Sequence, residues 1–384
     1  MYEINHSKGT FHLEDVTLLL TDITGMISPL PTAEREKLIQ TGVHYSEMLP
    51  LEYKPSKEYL TQYYHALNNF SNEVAEAVVI VSEKIYRKLG GKTVLVSLAR
   101  AGTPIGVLIK RYLQRKYYVD IPHYTISIVR GRGIDVAAMR FILKRHKVED
   151  IQFIDGWTGK GAILDELYAA TQDFIQIYSQ SKYMESLGHL PNKRNLLAVL
   201  ADPANITDMC GTHEDIPIAS SFLNSTVCGL MSRTIMPANQ NEDEYHGVAF
   251  YNDLRHEDKT YEFIERIEQS IMLTNENILY QKSKDIMQTC PYQESECSDS
   301  TGIDEVYAIA KKFSISNINF IKPSIGEATR VLLRRVPDTI LIAEDVELKY
   351  IAHLIQLAEE KGVPIVRFPL RRYKACGIIR ALDL

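Results

Sequence analysis

Hydrophobic and polar positions follow two alternating patterns along the chain. In the first, short apolar runs rich in β-branched residues predict strands at 93–98, 124–129, 150–154 and 196–201. Between them, apolar residues at helical spacing predict helices at 105–116, 136–145 and 162–170. This alternation is typical of an α/β fold with a parallel sheet covered on both faces. Ligands of such sheets bind at the carboxyl ends of the strands.

The second pattern follows residue 303 and predicts a smaller α/β unit. Its predicted strands are at 317–322, 339–343 and 364–368, and its predicted helices are at 326–335, 350–361 and 376–382. A polar stretch without a clear period at 281–301 predicts a linker. We therefore divide the chain into an extension packing on the core (1–55), a larger domain with a hood (56–280), a linker (281–302) and a C-terminal domain (303–384).

Two helices are predicted before the first strand of the larger domain. Ser56 can cap a helix that begins at Lys57 and runs toward Asn69. Ser71 can cap a second helix that ends at the Gly90-Gly91 pair.

Composition narrows the class of protein. The chain has 384 residues, of which 45% are hydrophobic and 24% charged, as in ordinary globular proteins. No apolar run is long enough to span a bilayer, and the N-terminus does not resemble a signal peptide. The five cysteines form no C-x-x-C pair, so neither a disulfide framework nor a zinc knuckle is indicated. These features predict a cytoplasmic protein with reduced thiols and no membrane partner.

The net charge of −6 conceals a strongly basic segment. Between Lys92 and Lys147, twelve Lys or Arg residues are opposed only by Asp120 and Asp135. A local excess of this size in an acidic chain predicts a polyanionic ligand.

The sharpest local motif is the loop that follows the predicted strand at 150–154. It reads Asp155-Gly156-Trp157-Thr158-Gly159-Lys160-Gly161 and opens a helix. Backbone N–H groups at a helix N-terminus favour phosphate, and glycines let the backbone approach it closely. The glycine spacing fits neither a nucleoside-triphosphate P-loop nor a dinucleotide fingerprint.

The segment 153–161 resembles the motif of type I phosphoribosyltransferases that binds 5-phosphoribosyl-1-pyrophosphate (PRPP). The resemblance implies that Asp155 holds the ribose hydroxyls and that the segment from Thr158 to Gly161 holds the 5-phosphate, with Gly156 and Trp157 also in the PRPP-binding loop. Where the family usually has a second acid, this chain has Gly156.

Two further loops resemble parts of the same family. The loop Ala99-Arg100-Ala101-Gly102 is similar to the pyrophosphate loop, and Arg130 and Arg132 lie where the family has a mobile basic loop. The resemblance implies catalysis by Asp155, Arg100 and Arg130. Mg²⁺ would be held through PRPP without a direct protein ligand, and loop closure would exclude water.

The acceptor of the implied transfer is not identified by the sequence. A region rich in small hydroxyl groups follows the fourth predicted strand and matches the position of the family's acceptor hood. The acceptor-site candidates are Asp202, Asn224, Ser225, Ser232 and Arg233. The family also implies a homodimer.

The C-terminal domain resembles the Pelota and kink-turn-binding ribosomal protein family. The resemblance rests on the helix opening at Gly326-Glu327, the run 340–346, and the helix and strand at 354–366. It implies an RNA-binding α/β/α sandwich, with the RNA side formed by Gly326, Glu327, Thr329, Arg330, Arg334, Glu344, Asp345 and Val346. The family's base-reading pair is Asn-Glu, and Gly326 replaces the Asn here.

The combination of the two domains resembles a bacterial family of fusions found in tellurium-resistance and related stress operons, some members of which are labelled cysteine proteases. The sequence predicts a phosphoribosyltransferase first. One alternative is a PRPP-sensing, RNA-binding regulator without catalysis. The other is a thiol protease, since Cys210 lies three residues before His213, with His246 and His256 downstream.

Overall fold

The larger domain is built on a sheet of six parallel strands. The computed structural model describes residues 9–52, 54–178, 192–273 and 302–382. In the order of the sheet, the strands are β1 (Thr17–Leu18), β4 (His123–Ile126), β3 (Val94–Leu98), β7 (Ile151–Ile154), β8 (Leu197–Ala201) and β9 (Cys210–Thr212). Each neighbouring pair is parallel. This confirms the predicted mixed α/β architecture with a parallel sheet; the finer assignment to a phosphoribosyltransferase fold stays a prediction.

Both faces of this sheet are buried, as its strand sequences require. Every residue of β3 and β8 is buried. Within β3, Leu95 belongs to one hydrophobic cluster, whereas Val94 and Val96 belong to the cluster on the opposite face. Because side chains alternate between faces along a strand, a continuous apolar run suits a strand that is covered on both sides.

Helices cover the two faces, and short strand pairs complete the domain. The helices are α1 (Thr32–Gln40), α2 (Lys57–Leu89), α3 (Gly102–Tyr117), α4 (Val136–Leu143), α5 (Ala162–Tyr178) and α6 (Thr260–Leu273). Strands β2 (Thr21–Asp22) and β10 (Gly247–Val248) pair in parallel, and β5 (Ile128–Val129) and β6 (Gly133–Ile134) form a hairpin.

A single 33-residue helix, α2, replaces the two helices predicted before β3. Ser56 caps it as expected, because its Oγ accepts a hydrogen bond from the Tyr59 N–H at 3.1 Å. The prediction of a break near Ser71 was wrong. Asn68 and Asn69, which favour caps over helix interiors, lie on the exposed side of α2, so they do not interrupt its buried face.

The C-terminal domain has a four-stranded mixed sheet. Its helices are α7 (Gly302–Lys312), α8 (Ile325–Arg334) and α9 (Leu348–Lys361). Its strands, in sheet order, are β11 (Ile321–Pro323), β14 (Ala375–Ile379), β12 (Pro337–Ala343) and β13 (Ile365–Phe368). The helix predicted at 376–382 was wrong, because this segment forms β14 in the interior of the sheet. A short apolar run does not by itself distinguish a buried strand from a buried helix.

The two domains are packed together through α8. The buried carboxylate of Asp215, in the loop after β9, accepts hydrogen bonds from the backbone N–H of Ile325 (3.1 Å) and of Lys374 (2.9 Å). Gly326 lies directly against the Trp157 indole, and the Tyr373 hydroxyl donates to the Gly159 carbonyl at 2.9 Å. The residues that join the domains in sequence, 281–301, were predicted as a linker and lie outside the described residues.

In the described part of the chain, no helix is both long enough and apolar enough to cross a membrane.

The contact between Gly326 and Trp157 gives a test of the domain packing. A Cβ atom at Gly326 would lie 2.6 Å from the indole Cε2, so Gly326→Ala forces the packed surfaces apart. We expect it to lower the free energy of unfolding by about 1–3 kcal/mol, the usual cost of overpacking. Urea unfolding measures this loss.

Gly91→Ala is the matched control, because its added Cβ would make only an ordinary contact, 3.5 Å from Val119 Cγ1. Equal stability of the two variants would show that Gly326 and Trp157 are not packed as described.

Candidate active site and interdomain cavity

The loops at the carboxyl ends of β3 and β7 form one side of a cavity of about 330 Å³, and α8 of the C-terminal domain forms the other. The first loop contributes Ala99, Arg100 and Ala101, and the second contributes Asp155 and the segment 157–161. Parallel strands place their following loops at one edge of the sheet, so the sequence could predict this convergence. It could not predict that the C-terminal domain closes the cavity.

Besides Gly156, two predicted residues of this region do not line the cavity. Arg132 donates to the Met236 carbonyl and pairs with Glu47. Gly102 packs under the loop after β7, where a Cβ would lie 2.3 Å from the Ile154 carbonyl oxygen. We therefore assign these two residues to the structure of the loops.

Asp155 and Lys160 are held by neighbours on either side. Asp155 accepts a hydrogen bond from the Gly156 N–H at 2.8 Å, and burial raises the pKa of this carboxyl to about 6. Lys160 donates to the backbone carbonyls of Ile318 and Ile321 in the C-terminal domain. Burial lowers the pKa of Lys160 to about 8. The lysine that was predicted to hold a phosphate therefore also contacts the second domain.

Two arginines of the larger domain, Arg100 and Arg130, line the cavity. Arg100 donates to the Met231 carbonyl at 2.7 Å and lies 3.7 Å from a Glu52 oxygen. Arg130 donates to Asn319 at 3.2 Å, and so it also reaches the C-terminal domain. Only part of the positive charge of the segment 92–147 therefore faces the cavity, because other Lys and Arg side chains of that segment do not line it.

The predicted acceptor residues are not gathered at one place. Arg233 lines the cavity, and Asn224 accepts a hydrogen bond from Arg334 of α8. Ser232 donates to the Arg233 carbonyl at 2.6 Å, whereas the Ser225 N–H donates to Glu52 at 3.3 Å. Asp202 lies at the end of β8 and takes part in a different cluster.

The predicted RNA-facing residues are divided by the packing of the domains. Glu327, Arg330 and Arg334 line the cavity, and the Arg330 guanidinium stacks over the Trp157 ring at 4.3 Å. Thr329 is buried and donates to the Ile325 carbonyl at 2.7 Å. After the carboxyl end of β12, Glu344 and Asp345 are exposed and Val346 packs against the core. The helix residues predicted to meet RNA therefore face the first domain.

A cysteine, a histidine and an aspartate come together at the carboxyl end of β8. Cys210 Sγ lies 3.4 Å from His213 Nε2. His213 Nδ1 lies 3.0 Å from the Asp202 carbonyl oxygen and 3.4 Å from its carboxylate oxygen Oδ2. We call these three residues the thiol cluster. Their order, thiol to imidazole to carboxylate, is the arrangement of a nucleophile, a base and an orienting group.

The carboxylate of Asp202 is fixed by further hydrogen bonds. It accepts from the Thr158 hydroxyl at 2.6 Å and from the backbone N–H groups of Ile206 (2.8 Å) and Thr207 (2.9 Å). The side chain is fully buried. A buried carboxylate held in this way stabilises a neighbouring imidazolium. Hydrogen bonding to Asp202, followed by that to Cys210, accordingly raises the pKa of His213 to about 10.

Cys210 differs from the other described cysteines. Burial raises the pKa of the Cys228 thiol to about 11 and that of the Cys376 thiol to about 12. Among the described residues, only Cys210 of these three has a histidine within hydrogen-bond distance of its sulfur. Of the two histidines noted downstream, His246 contacts the Ser127 hydroxyl at 2.8 Å, and His256 lies on the turn Asn252–Glu257.

The same three side chains could hold a cation. Asp202, Cys210 and His213 each offer one ligand atom, and these atoms lie within 4.8 Å of one another. Thiolate, imidazole and carboxylate are ligands that Zn²⁺ accepts. The sequence indicated the spacing of Cys210 and His213 but not the third member, which comes from the preceding strand through the pairing of β8 with β9.

The raised pKa of His213 predicts a pH-dependent stability. Its folded-state pKa of about 10 exceeds the ordinary value of 6.5. Protonation therefore stabilises the fold fully below pH 6.5, and this contribution is lost as the pH rises toward 10. We expect the stability advantage of the wild type over His213→Gln to shrink across that window, as measured by urea unfolding at successive pH values. Identical pH slopes for the two proteins would contradict the pairing of His213 with Asp202 and Cys210.

Comparison with known proteins identifies two matching families. Residues 9–268 match the family described as tellurite-like stress resistance cysteine protease StiP, and residues 300–381 match the Pelota RNA-binding domain. A protein of Acinetobacter baylyi named cysteine protease StiP is 34% identical over 389 residues, which cover 98% of this chain and 94% of that protein. The 13 kDa ribonucleoprotein-associated protein of Kluyveromyces lactis is 38% identical over 68 residues, 17% of this chain and 54% of that protein.

These matches correct the leading functional prediction. The prediction of a phosphoribosyltransferase acting on PRPP was wrong, because both the family matched by the larger domain and the full-length relative are named cysteine proteases. The alternative based on Cys210 fits these names, as does the predicted association with tellurite-type stress resistance. The expected Mg²⁺ stays a prediction. The chain belongs to the StiP family of tellurite-like stress resistance cysteine proteases and carries a C-terminal Pelota domain.

Proposed function

We propose that this chain hydrolyses peptide bonds with Cys210 as the nucleophile, His213 as the acid and base, and Asp202 as the orienting group. The observation that supports this most directly is the 3.4 Å contact between Cys210 Sγ and His213 Nε2, with Asp202 on the other side of the imidazole. The name of the matching family and of the Acinetobacter relative points to the same chemistry.

The thiol cluster holds the His213 imidazole beside the Cys210 sulfur. His213, with its pKa raised to about 10, is positively charged at neutral pH. A neighbouring imidazolium stabilises a thiolate, which is the nucleophilic form of cysteine. Asp202 cannot easily leave its place, because three donors hold its carboxylate. The imidazolium is therefore kept beside the sulfur.

The reaction follows from these positions. The Cys210 thiolate attacks the carbonyl carbon of the peptide bond and forms a C–S bond. His213 gives its proton to the departing amine as the C–N bond breaks. Water, deprotonated by His213, then attacks the thioester and releases the acid, and the thiolate and imidazolium are restored.

Access to the sulfur is through His213. Cys210 is only 1% exposed, whereas the His213 side chain is 45% exposed. Behind Cys210, Gly211 packs tightly on Ala77 of α2, and Lys84 donates to the Cys210 carbonyl at 2.8 Å. The strand is thus fixed on that side, so a substrate must approach from the side of His213 and displace part of the cover over the sulfur.

Replacement of Cys210 tests this proposal. We expect Cys210→Ala to lower peptidase activity by about 10⁴-fold or more, the usual effect of removing the nucleophile. Turnover of a fluorogenic peptide mixture measures this, and an electrophilic peptide probe followed by mass spectrometry locates the reacting thiol. Cys228→Ala is the control, because it removes another buried thiol that lies away from His213 and should leave turnover and labelling intact.

Two outcomes would overturn the protease proposal. In the first, Cys210→Ala retains the turnover of the wild type. In the second, purified protein contains one equivalent of Zn²⁺, and its removal by a chelator unmasks Cys210 to alkylation without producing turnover. The thiol cluster would then be a metal site.

We also propose that the C-terminal domain binds RNA. The supporting observations are the match of residues 300–381 to the Pelota RNA-binding domain and the ribonucleoprotein-associated relatives of Kluyveromyces lactis and Eremothecium gossypii. Because Glu327, Arg330 and Arg334 of α8 line the interdomain cavity, the predicted RNA-facing residues that remain exposed are Glu344 and Asp345, in the loop after β12. Arg367 donates to the Glu344 carbonyl, and Arg371 is exposed on the next loop.

Charge removal near this loop tests RNA binding. We expect Arg367→Gln/Arg371→Gln to weaken binding of a structured RNA and to reduce its salt dependence by roughly one unit of slope per lost phosphate contact. Filter binding at several salt concentrations measures both. Arg255→Gln, which removes an exposed cation from the larger domain, should bind as the wild type does. Equal loss in both variants would indicate a nonspecific effect of net charge.

A further inference from the structure

The cavity between the domains contains more positive charge than its carboxylates can balance. Nine Arg or Lys side chains and two Asp or Glu side chains line it. Three of these cations lie near a carboxylate, in the pairs Arg335–Glu36 (2.6 Å), Arg330–Glu327 (2.7 Å) and Arg100–Glu52 (3.7 Å). The remaining positive charge includes three arginines from separate elements, Arg35, Arg233 and Arg334.

These three arginines have few partners. In the part of the chain that the structure describes, none of them lies within ion-pair distance of a carboxylate. Arg35 is only 2% exposed, and its Nε lacks a hydrogen-bond partner among the described residues, as does the buried Nε of Arg233. Arg334 donates to the neutral side-chain amide of Asn224. Arg35 and Arg233 therefore each keep a buried N–H that no described acceptor uses, and the only described acceptor of Arg334 is uncharged.

The arginines also repel one another. Burial, followed by the charge of Arg35, lowers the pKa of Arg233 to about 9. Burial, followed by the charge of Arg100, lowers the pKa of Arg334 well below its ordinary value. Buried charges that are not paired are costly, and a like-charged group is costlier still. An anion bound between these arginines would offset both the cost of burying unpaired charges and the repulsion between them.

We propose that the interdomain cavity is a binding site for a small polyanion, held jointly by Arg35 of α1, Arg233 and Arg334 of α8. The ligand is a compact molecule with two or more clustered negative charges, of the phosphate or carboxylate class, whose oxygen atoms match the fork geometry of guanidinium groups. The cavity volume of about 330 Å³ falls at the lower end of the range for small-molecule sites.

The site draws on both domains, and this has a consequence for their packing. Arg35 and Arg233 belong to the larger domain, and Arg334 belongs to the C-terminal domain. An anion that bonds to all three joins the domains across the cavity. Its binding stabilises the docked arrangement, in addition to the hydrogen bonds of Asp215.

The proposed anion contacts do not involve the side chains of the thiol cluster. Neither Cys210 nor His213 lines the cavity. Binding can therefore be measured on Cys210→Ala, in which the chemistry proposed for the protease is absent. Loss of anion binding and loss of peptidase activity are separable results.

Isothermal titration of the full chain with inorganic pyrophosphate, tripolyphosphate and citrate tests the site. We expect at least one of these to bind with a stoichiometry of one, equally in wild type and Cys210→Ala. Arg233→Gln/Arg334→Gln should weaken binding by about 100-fold, because two charge-assisted contacts are lost. If only pyrophosphate or tripolyphosphate binds, the ligand belongs to the phosphate class. If citrate binds equally well, the site selects for a high density of negative charge and not for phosphate.

Lys37→Gln is the matched control, since Lys37 is an exposed cation on the same helix as Arg35. It should bind the anion as the wild type does.

Thermal unfolding supplies the second measurement. We expect the ligand-free double arginine variant to be at least as stable as the wild type, because buried like charges are removed, and only proteins with the intact site should gain stability from pyrophosphate at constant ionic strength. No binding by the wild type, or equal weakening by Lys37→Gln and the double variant, would overturn the proposal.

Discussion

The carboxylate of Asp215 accepts hydrogen bonds from the backbone N–H groups of Ile325 and Lys374, and through them the first domain holds the C-terminal domain. Ile325 is the first residue of α8, so a carboxylate from another domain supplies acceptors for the unsatisfied donors of this helix start. The orientation of α8 follows from this contact. So does the closure of the cavity, because Glu327, Arg330 and Arg334 project from the helix that Asp215 fixes.

The loop after β9, which carries Asp215, also connects the thiol cluster with the interdomain cavity. Asp215 lies two residues after His213, and both follow β9. The loop after β7, two strands away in the sheet, lines the cavity and sends the Thr158 hydroxyl to the Asp202 carboxylate. Asp202 in turn contacts His213. The thiol cluster and the cavity are therefore neighbours that share a hydrogen-bonded wall, and the position of Thr158 is common to both.

Local pattern predicted much of the fold. The strands β3, β7 and β8 were predicted within one or two residues, because strands buried on both faces leave an apolar run bounded by turn residues. The break predicted in α2 and the helix predicted over β14 failed for a common reason. In both places the neighbours in space, and not the residues in sequence, decide the structure.

The site was harder to predict than the fold. Many proteins bind anions with glycines at a helix N-terminus and nearby basic residues, so this pattern does not specify a reaction. The spacing of Cys210 and His213 was visible in the sequence, but Asp202 joins them only through the register of β8 with β9. Arg35 lies in the segment 1–55, which was predicted to be an extension packing on the core, so its place at the cavity required the tertiary structure.

The burial of Cys210 has a consequence for the survival of the protein under oxidising conditions. Oxidants convert an accessible thiolate to sulfenic acid and then, irreversibly, to sulfinic and sulfonic acids. Cys210 is 1% exposed, so peroxide in the surrounding water has almost no direct access to the sulfur. A thiol enclosed in this way can keep its reduced state through an oxidative episode and remain ready to react once its cover opens.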